Sequence, residues 1–535
     1  MTRRAGLSRE PVRARDPFRA AVIADGRQLK RWQLDCLRSC DDLVEVEVVY
    51  SCRTPIPGKR KARHLFYYLL NLVALRNALT RKTGVDALDA EVVDFDASVD
   101  GVWQRLPDSI VEDAKSRQVD FIVKFGMGLL RIPAGLDGVD ILSFHHGDPE
   151  RYRGRPAGFY ELLHGAPKQG VVVQKLTDKL DAGVFLARGL FKIDHHSYRR
   201  TAERFYAGSR HVFRAALLAL RTGKTVATAG LGRNYRLPGN LTVARFALGL
   251  ARRKLARILR GMFFENAWEI AIQPALVQGA LPKLTLAGAT CIPTSPGYRF
   301  LADPFFAPDG STIFAEGLSS TSHVGDIVAI DSAPPHQTRI VLTGGHHSYP
   351  AVVSDREKEY LLAETAAHRA PELVPIENGE SRPLIGLENS RLLDATHFEH
   401  GETHYVFAGL PGEAADTLHL YCAPNLDGPY HLHPSSPIVL DPACARMGGA
   451  IRAIDGELIR FGQNNCFGYG SSLQAMRIRK LSPDAYEEEY VGEIAIGGVR
   501  GPHTLNFGPG GCLFDFYRER FSLLAGYRRF RARFA

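Results

Sequence analysis

Apolar and polar positions follow two different rhythms along this chain. In the first half, short apolar runs alternate with stretches of helical period. FRAAVIADG from Phe18 leads into apolar positions Leu29, Trp32, Cys36 and Leu37 at helical spacing, then into LVEVEVVYS from Leu43. A basic, helical insertion around LFYYLLNLVALRNAL follows. EVVDF from Glu91, the helical IVEDAKSRQ from Ile110 and VDFIVKFGMGLL from Val119 come next. Strands alternating with helices predict an α/β domain, a mostly parallel sheet with helices on both faces. Such sheets bind ligands outside the carboxyl ends of their strands.

After about residue 265 the rhythm shortens. Aromatic and β-branched runs are separated by Asp-Gly, Pro-Gly and His-Gly turns, which predicts an all-β domain. Similar strand entries recur at Asp303, Ser348, Asp394, Arg446 and His503, a spacing of roughly 45 to 57 residues that suits the blades of a β-propeller. Five entries predict five blades, with a pair of β-sandwiches as the competing architecture.

Length agrees with this division, since 535 residues exceed one ordinary core. The expected domains are a disordered basic tail (1–15), the α/β domain (16–225), a basic linker with an amphipathic helix (226–264) and the β domain (265–535). With 45% apolar and 23% charged residues the chain reads as globular. No apolar run reaches membrane-spanning length, and the arginine-rich N-terminus has no apolar signal core, so a cytoplasmic location is expected. The eight cysteines form no Cys-x-x-Cys pair, and no metal site is expected. The net charge of +9 is partly localised: Arg245 to Arg260 holds six basic residues and no acidic one. Leu248, Ala251, Leu255, Ile258 and Met262 recur there at helical spacing. That helix either packs its apolar stripe on a neighbouring domain or makes peripheral membrane contact. Nucleic acid is not expected as a partner, and no pattern specifies an oligomeric state.

The densest chemistry lies in SFHHGDPERYRG, from Ser143, where an apolar strand runs into a glycine-bounded loop. His145 and His146 are adjacent, so they point in different directions. A second segment, QKLTDKLDAG from Gln174, carries Asp178 and Asp181 in a turn after a strand. A carboxylate and an imidazole in hydrogen-bond reach can move a proton between an attacking amine and a tetrahedral intermediate.

Together these segments resemble the folate-dependent formyltransferases of methionyl-tRNA, glycinamide ribonucleotide and amino sugars, well over residues 90 to 195 and more loosely before. The resemblance implies a Rossmann-like formyltransferase domain with His145 and Asp181 as catalytic residues. Ser143 stands where the family has an asparagine that donates to the developing oxyanion. It implies 10-formyltetrahydrofolate as co-substrate, docked against Lys124, Phe125, Gly126, Met127, Gly128, Leu129 and Leu130 and near Leu180. His146, Asp148, Arg151, Tyr152 and Arg153 would face the acceptor, with guanidinium groups suited to phosphate.

In the second half FLADPFF, HHSYPAVV, LLDATHFEHGETHYVFA, ARMGGAIRAIDGELIRFGQ and GPHTLN resemble the N-terminal domain of glucosamine inositolphosphorylceramide transferases, which looks like the five-bladed propellers of certain glycoside hydrolases. In a propeller Asp303, Glu364, Asp394, Arg446, Gln463 and His503 would converge on a central funnel and surround a sugar. The expected function is formyl transfer to a small-molecule amine, most readily that of an amino sugar, with the β domain engaging carbohydrate. A hydrolase of a formyl group or glycosidic bond, and a non-catalytic glycan-binding protein, are the alternatives.

Overall fold

The computed structural model describes residues 16–56, 61–136, 138–177, 183–228, 230–274, 281–356, 358–365, 370–377 and 379–531. The tail of residues 1–15 lies outside them, as do Leu180 and Asp181. The chain divides into two compact units, Met1–Leu250 and Ala251–Ala535. The division falls within a helix, Asn240–Phe263, inside the segment read as a basic linker with an amphipathic helix.

In the first unit seven strands form one sheet: β1 (Phe18–Asp25), β2 (Val44–Cys52), β3 (Glu91–Phe95), β4 (Phe121–Lys124), β5 (Asp140–His145), β6 (Lys168–Lys175) and β7 (Val184–Lys192). Their order is β7-β6-β5-β4-β1-β2-β3. The five strands from β5 to β3 run parallel and the last two antiparallel. The chain winds from β1 outward through β2 and β3, then returns to the other side of β1 with β4. The switch point, where crevices form in such sheets, therefore lies between the carboxyl ends of β1 and β4, at Asp25 and Lys124.

The helices are α1 (Arg31–Arg38), α2 (Leu65–Ala74), α3 (Asp108–Ser116), α4 (Phe159–His164), α5 (Tyr198–Thr222) and α6 (Asn240–Phe263). On one face Ile110, Val111 and Ala114 of α3 pack against Ala21, Ile23, Val48 and Ile122. On the other, Phe144 meets Trp32 of α1 and Phe213 of α5. Each fully buried large apolar side chain contributes roughly 1.5–3 kcal/mol, so two covered faces make the sheet the rigid platform of this unit. The α/β prediction is met. β7 has no counterpart in the sequence reading.

The second unit consists of antiparallel sheets of four or five strands, five of them among the described residues. Its key strands are β8 (Phe264–Gln273), β9 (Tyr298–Phe306), β10 (His347–Asp355), β11 (Leu393–His400), β12 (Arg446–Met447), β13 (Leu505–Gly508) and β14 (Gly511–Phe521). Strands β9, β10, β11 and β12 each begin a sheet and lie beside one another in that order. β13 lies beside β9, and Leu505 N donates to Gly448 O at 2.9 Å, which returns the circuit to β12. The first sheet joins the two ends of the unit: β8 pairs with β14 from Phe264 opposite Phe521 to Gln273 opposite Cys512.

Candidate functional site

Strand alternation sorts the chemistry at the carboxyl edge of the first sheet. Ser143 and His145 are two residues apart on β5 and share the face of Ile141, which packs toward α3. The cross-strand neighbours of Ser143 are Lys124 of β4 and Gln174 of β6. His145 is buried, and its Nε2 faces the Tyr152 carbonyl at 3.2 Å. A carbonyl only accepts, so Nε2 is the donor in that contact. Gly147 permits this contact, because a Cβ there would overlap the Tyr152 carbonyl and crowd the His145 ring. Gln174 was not singled out from the sequence, although a glutamine inside the apolar run GVVVQKL was a visible signal. It is buried, and its Oε1 has no hydrogen-bond partner among the described residues. A carboxamide thus stands opposite Ser143, the position where the resembling family has asparagine. Burial lowers the Lys124 amine to about 8, against the opposing pull of Asp25, and its Nζ donates to Met127 O at 3.3 Å. Asp181, read as the partner of His145, lies outside the described residues.

His146 takes the opposite face. Its ring lies 5.0 Å from both Trp32 and Tyr206 and 5.4 Å from Phe205. Its Nε2 lies 3.0 Å from Ser209 Oγ, whose own hydrogen goes to Phe205 O, so the imidazole donates. Burial lowers this ring to about 3, which keeps it neutral. Asp148 is buried under a salt bridge to Arg188 (2.9 Å), which also holds Glu150 at 3.2 Å. Arg153 Nε donates to Gly232 O at 3.0 Å, and Tyr152 stacks on Tyr235. His146, Asp148 and Arg153, read as acceptor contacts, are therefore committed to holding the loop. Arg151 is exposed beside them. A small cleft is lined by His146, Tyr152, Tyr160, Glu161 and Tyr235. Glu161 escaped notice because FYELLH reads as any amphipathic turn. Burial raises its carboxyl to about 8.

The segment Lys124–Leu130 is a packed turn rather than an open cradle. Phe125 N and Gly126 N both donate to Ile23 O, Met127 N to Asp25 Oδ1 at 2.6 Å, and Gly128 N to Gln104 Oε1 at 2.6 Å. Gly126 is needed for contact with the protein itself, since a Cβ would overlap the backbone of Ala24 and Asp25. Met127 and Leu130 are buried, and Leu129–Leu130 pairs with Trp103–Gln104. The four amides from Phe125 to Gly128 are thus engaged within the protein, which leaves carbonyls and apolar side chains of this segment as its contacts for any ligand.

In the second unit the six residues read as a funnel come together, and they bring others with them. Strands β9, β10 and β11 share one irregularity: a break in register at Ala302/Phe305, Ser348/Ala351 and Leu393/Thr396. Asp303, Tyr349 and Asp394 sit at these breaks with φ of 50°, 47° and 49°. Bulges and left-handed non-glycine residues are costly, and they cluster where a side chain must be re-aimed. Asp394 is gripped by Arg446 through two hydrogen bonds, one of 3.0 Å from Nη2, and by Gln463 Nε2 at 3.0 Å. Glu364 accepts from Asp394 N at 3.2 Å, and burial together with the adjacent Asp394 pushes its carboxyl up to about 8. His503 lies between Asp303 (3.0 Å) and Asp515 (2.5 Å). Burial opposes its charge, but the two carboxylates outweigh burial and hold the imidazole well above its usual value. Asp303, His503 and Asp515 are near enough to share a cation, which would have to displace the ring proton that now offsets one of the two carboxylate charges.

Sequence reading missed Asp515, Glu316 and Tyr469. Asp515 is wholly buried on β14 and receives the amides of Asp303, His503 and Thr504. Glu316 lies across from Ala302, and burial first, then Asp303, holds its carboxyl well above the usual range. Tyr469 is exposed, 5.3 Å from the His503 ring and beneath the Arg446 guanidinium. The result is a cluster of buried carboxyls with two cations, Arg446 and His503, beside an exposed aromatic face.

Residues 274–499 match the family model described as glucosamine inositolphosphorylceramide transferase 1, N-terminal. The protein of that name from Oryza sativa subsp. japonica is 28% identical over 292 residues, 48% of this chain, and its counterpart from subsp. indica matches to the same extent. The chain spans only 37% of the length of these curated relatives. Among solved structures, glycinamide ribonucleotide transformylase 1 from Symbiobacterium toebii is 17% identical, with 42% of this chain and 94% of that one covered and a TM-score of 0.27. Phosphoribosylglycinamide formyltransferase from Bacillus halodurans is 17% identical, covering 38% and 96%, TM-score 0.27. An exo-1,5-α-L-arabinanase from a bovine ruminal metagenomic library is 12% identical, covering 42% and 94%, TM-score 0.28.

Proposed function

We propose that the first unit transfers a formyl group to an amine and that the second engages the carbohydrate bearing it, so that the acceptor is an amino sugar, nucleotide-activated or within a glycan precursor. The observation that carries this reading is the set Ser143, His145 and Gln174 on one sheet face at the carboxyl edge, inside the stretch SFHHGDPERYRG. The amine nitrogen attacks the formyl carbon, the bond from that carbon to the donor's nitrogen breaks as the tetrahedral intermediate collapses, and the His145 imidazole carries the proton from the attacking amine to the leaving nitrogen. The Ser143 hydroxyl and the Gln174 carboxamide are the groups on that face able to donate to the developing oxyanion, each such donor being worth on the order of 10²–10³ in rate. The sequence resemblance names 10-formyltetrahydrofolate as donor. Because the amides of Phe125 to Gly128 are already engaged within the protein, the donor is the first variable to assay.

The circuit of five sheets closed by β8 on β14 supports a five-bladed β-propeller with its carboxyl cluster at the centre. Incubation of the full chain with 10-formyltetrahydrofolate and a panel of nucleotide-linked amino sugars, followed by mass spectrometry, tests the whole reading. A formamide product that disappears in His145→Ala is expected. Undiminished product in that variant removes the site; formate release without acceptor makes the protein a hydrolase; glycan binding without turnover makes it a binding protein.

One observation favours a second reading. Burial, together with the adjacent Asp394, keeps the Glu364 carboxyl protonated near neutrality, the state that a general acid needs. Hydrolysis of a panel of chromogenic glycosides, lost in Glu364→Gln, would support glycosidic cleavage at the second unit.

A further inference from the structure

We infer that the protein docks on the surface of an anionic lipid bilayer through helix α6 and the C-terminal segment that packs on its end. The argument begins with exposure. From Ala251 to Met262 almost every α6 residue is open to solvent, including the apolar stripe that the sequence marked. Leu248 is 74% exposed and Leu255 56%, with Ile258, Leu259 and Met262 nearly as open. A stripe packed on protein would be covered, so this one is available to something else.

A second apolar group continues the stripe. Ser522 N donates to Phe263 O at 2.8 Å, Arg529 holds the Gly261 and Phe264 carbonyls, and the Phe263 and Phe521 rings stack at 6.2 Å. These contacts fix a short helix, α7 (Ala525–Arg531), against the end of α6. Beside that junction Phe521, Leu523, Leu524, Tyr527 and Phe530 are all exposed, Leu523 at 75%. Single exposed apolar residues are ordinary, but a run of this size signals a binding surface.

Charge selects the occupant. Helix α6 carries six basic residues and no acidic one, and Arg528, Arg529 and Arg531 follow on α7. Arg260 and Arg528 have acidic neighbours in Glu519 and Glu265, while the helix as a whole remains strongly positive. No helix of the described residues is long and apolar enough to cross a membrane. Exposed leucines and aromatics flanked by arginine and lysine are the pattern of a helix lying in the plane of an anionic interface.

Co-sedimentation of the full chain with vesicles of phosphatidylcholine alone, and of phosphatidylcholine mixed with phosphatidylglycerol, tests this. Binding is expected to the mixed vesicles, at least about tenfold tighter than to the neutral ones and weakening as salt is added. Arg252→Glu with Lys254→Glu, and separately Leu523→Asp with Leu524→Asp, should each reduce it by about tenfold or more while circular dichroism is unchanged. Equal sedimentation with both vesicle types overturns the inference, as does binding indifferent to both variant pairs. A dimer that the leucine variants convert to monomer, with vesicle binding intact, would assign the face to a second copy of the chain instead.

Discussion

At the scale of single residues, neighbours in sequence acquire opposite roles from strand alternation alone. His145 faces the reactive edge, while His146 enters an aromatic box and is lowered to about 3 by burial. The unfolded chain takes up that proton near 6.5 and the folded chain only near 3, so between these values the unfolded state binds more protons and stability falls as pH falls. His397, also lowered to about 3 by burial, acts in the same direction. Thermal melts should therefore show a declining transition temperature below about pH 6.5, and the His146 ring resonances should not titrate between neutrality and mild acid. Glu161 works the other way. Its folded carboxyl stays protonated to about 8, against 4.5 for the unfolded group, so its contribution is present in acid and is lost as pH rises through that window. Glu161→Gln should accordingly raise the transition temperature more at the alkaline end of the window than at the acidic end.

At the scale of elements, the contacts that build each site are also those that stabilise it. The turn after β4 lies directly on the end of β1, so Gly126→Ala should cost about 1–3 kcal/mol through overpacking, measured by denaturant unfolding. In the second unit Arg446→Leu leaves Asp394 buried and uncompensated, a loss of about 3–5 kcal/mol. Asp394→Asn combined with Arg446→Leu should recover much of it, since the cost lies in the stranded charge. The three bulged strands were legible as the phrases ADPF, SYPA and LDAT, but their left-handed residues were not, because φ is set by the packing of the next sheet and not by the residue type.

At the scale of the whole molecule, the second unit depends on joining its two ends. Deletion of Gly511–Arg531 removes the partner of β8 and, with Asp515, the carboxylate that holds the amides of Asp303, His503 and Thr504. Loss of cooperative unfolding and of near-ultraviolet circular dichroism in the second unit is the expected result. The repeat spacing announced the sheets, and the six residues read as a funnel converge. The amphipathic helix was equally plain in sequence. That its apolar stripe is exposed was not, because periodicity gives a face and only the neighbours say what covers it.

What the chain determines by itself is periodic or local: the change from alternating strands and helices to short repeated strands, the opposite facing of His145 and His146, and the stretch that carries Ser143. What only the tertiary structure decides is which distant groups meet. Gln174 reaches Ser143 through antiparallel register, Asp515 reaches His503 through the closing sheet, and the amides of Phe125 to Gly128 are claimed by Ile23, Asp25 and Gln104. Hydrophobic period is written in consecutive residues, whereas a partner 12 to 102 positions away is chosen by strand order and loop closure, which no local pattern encodes.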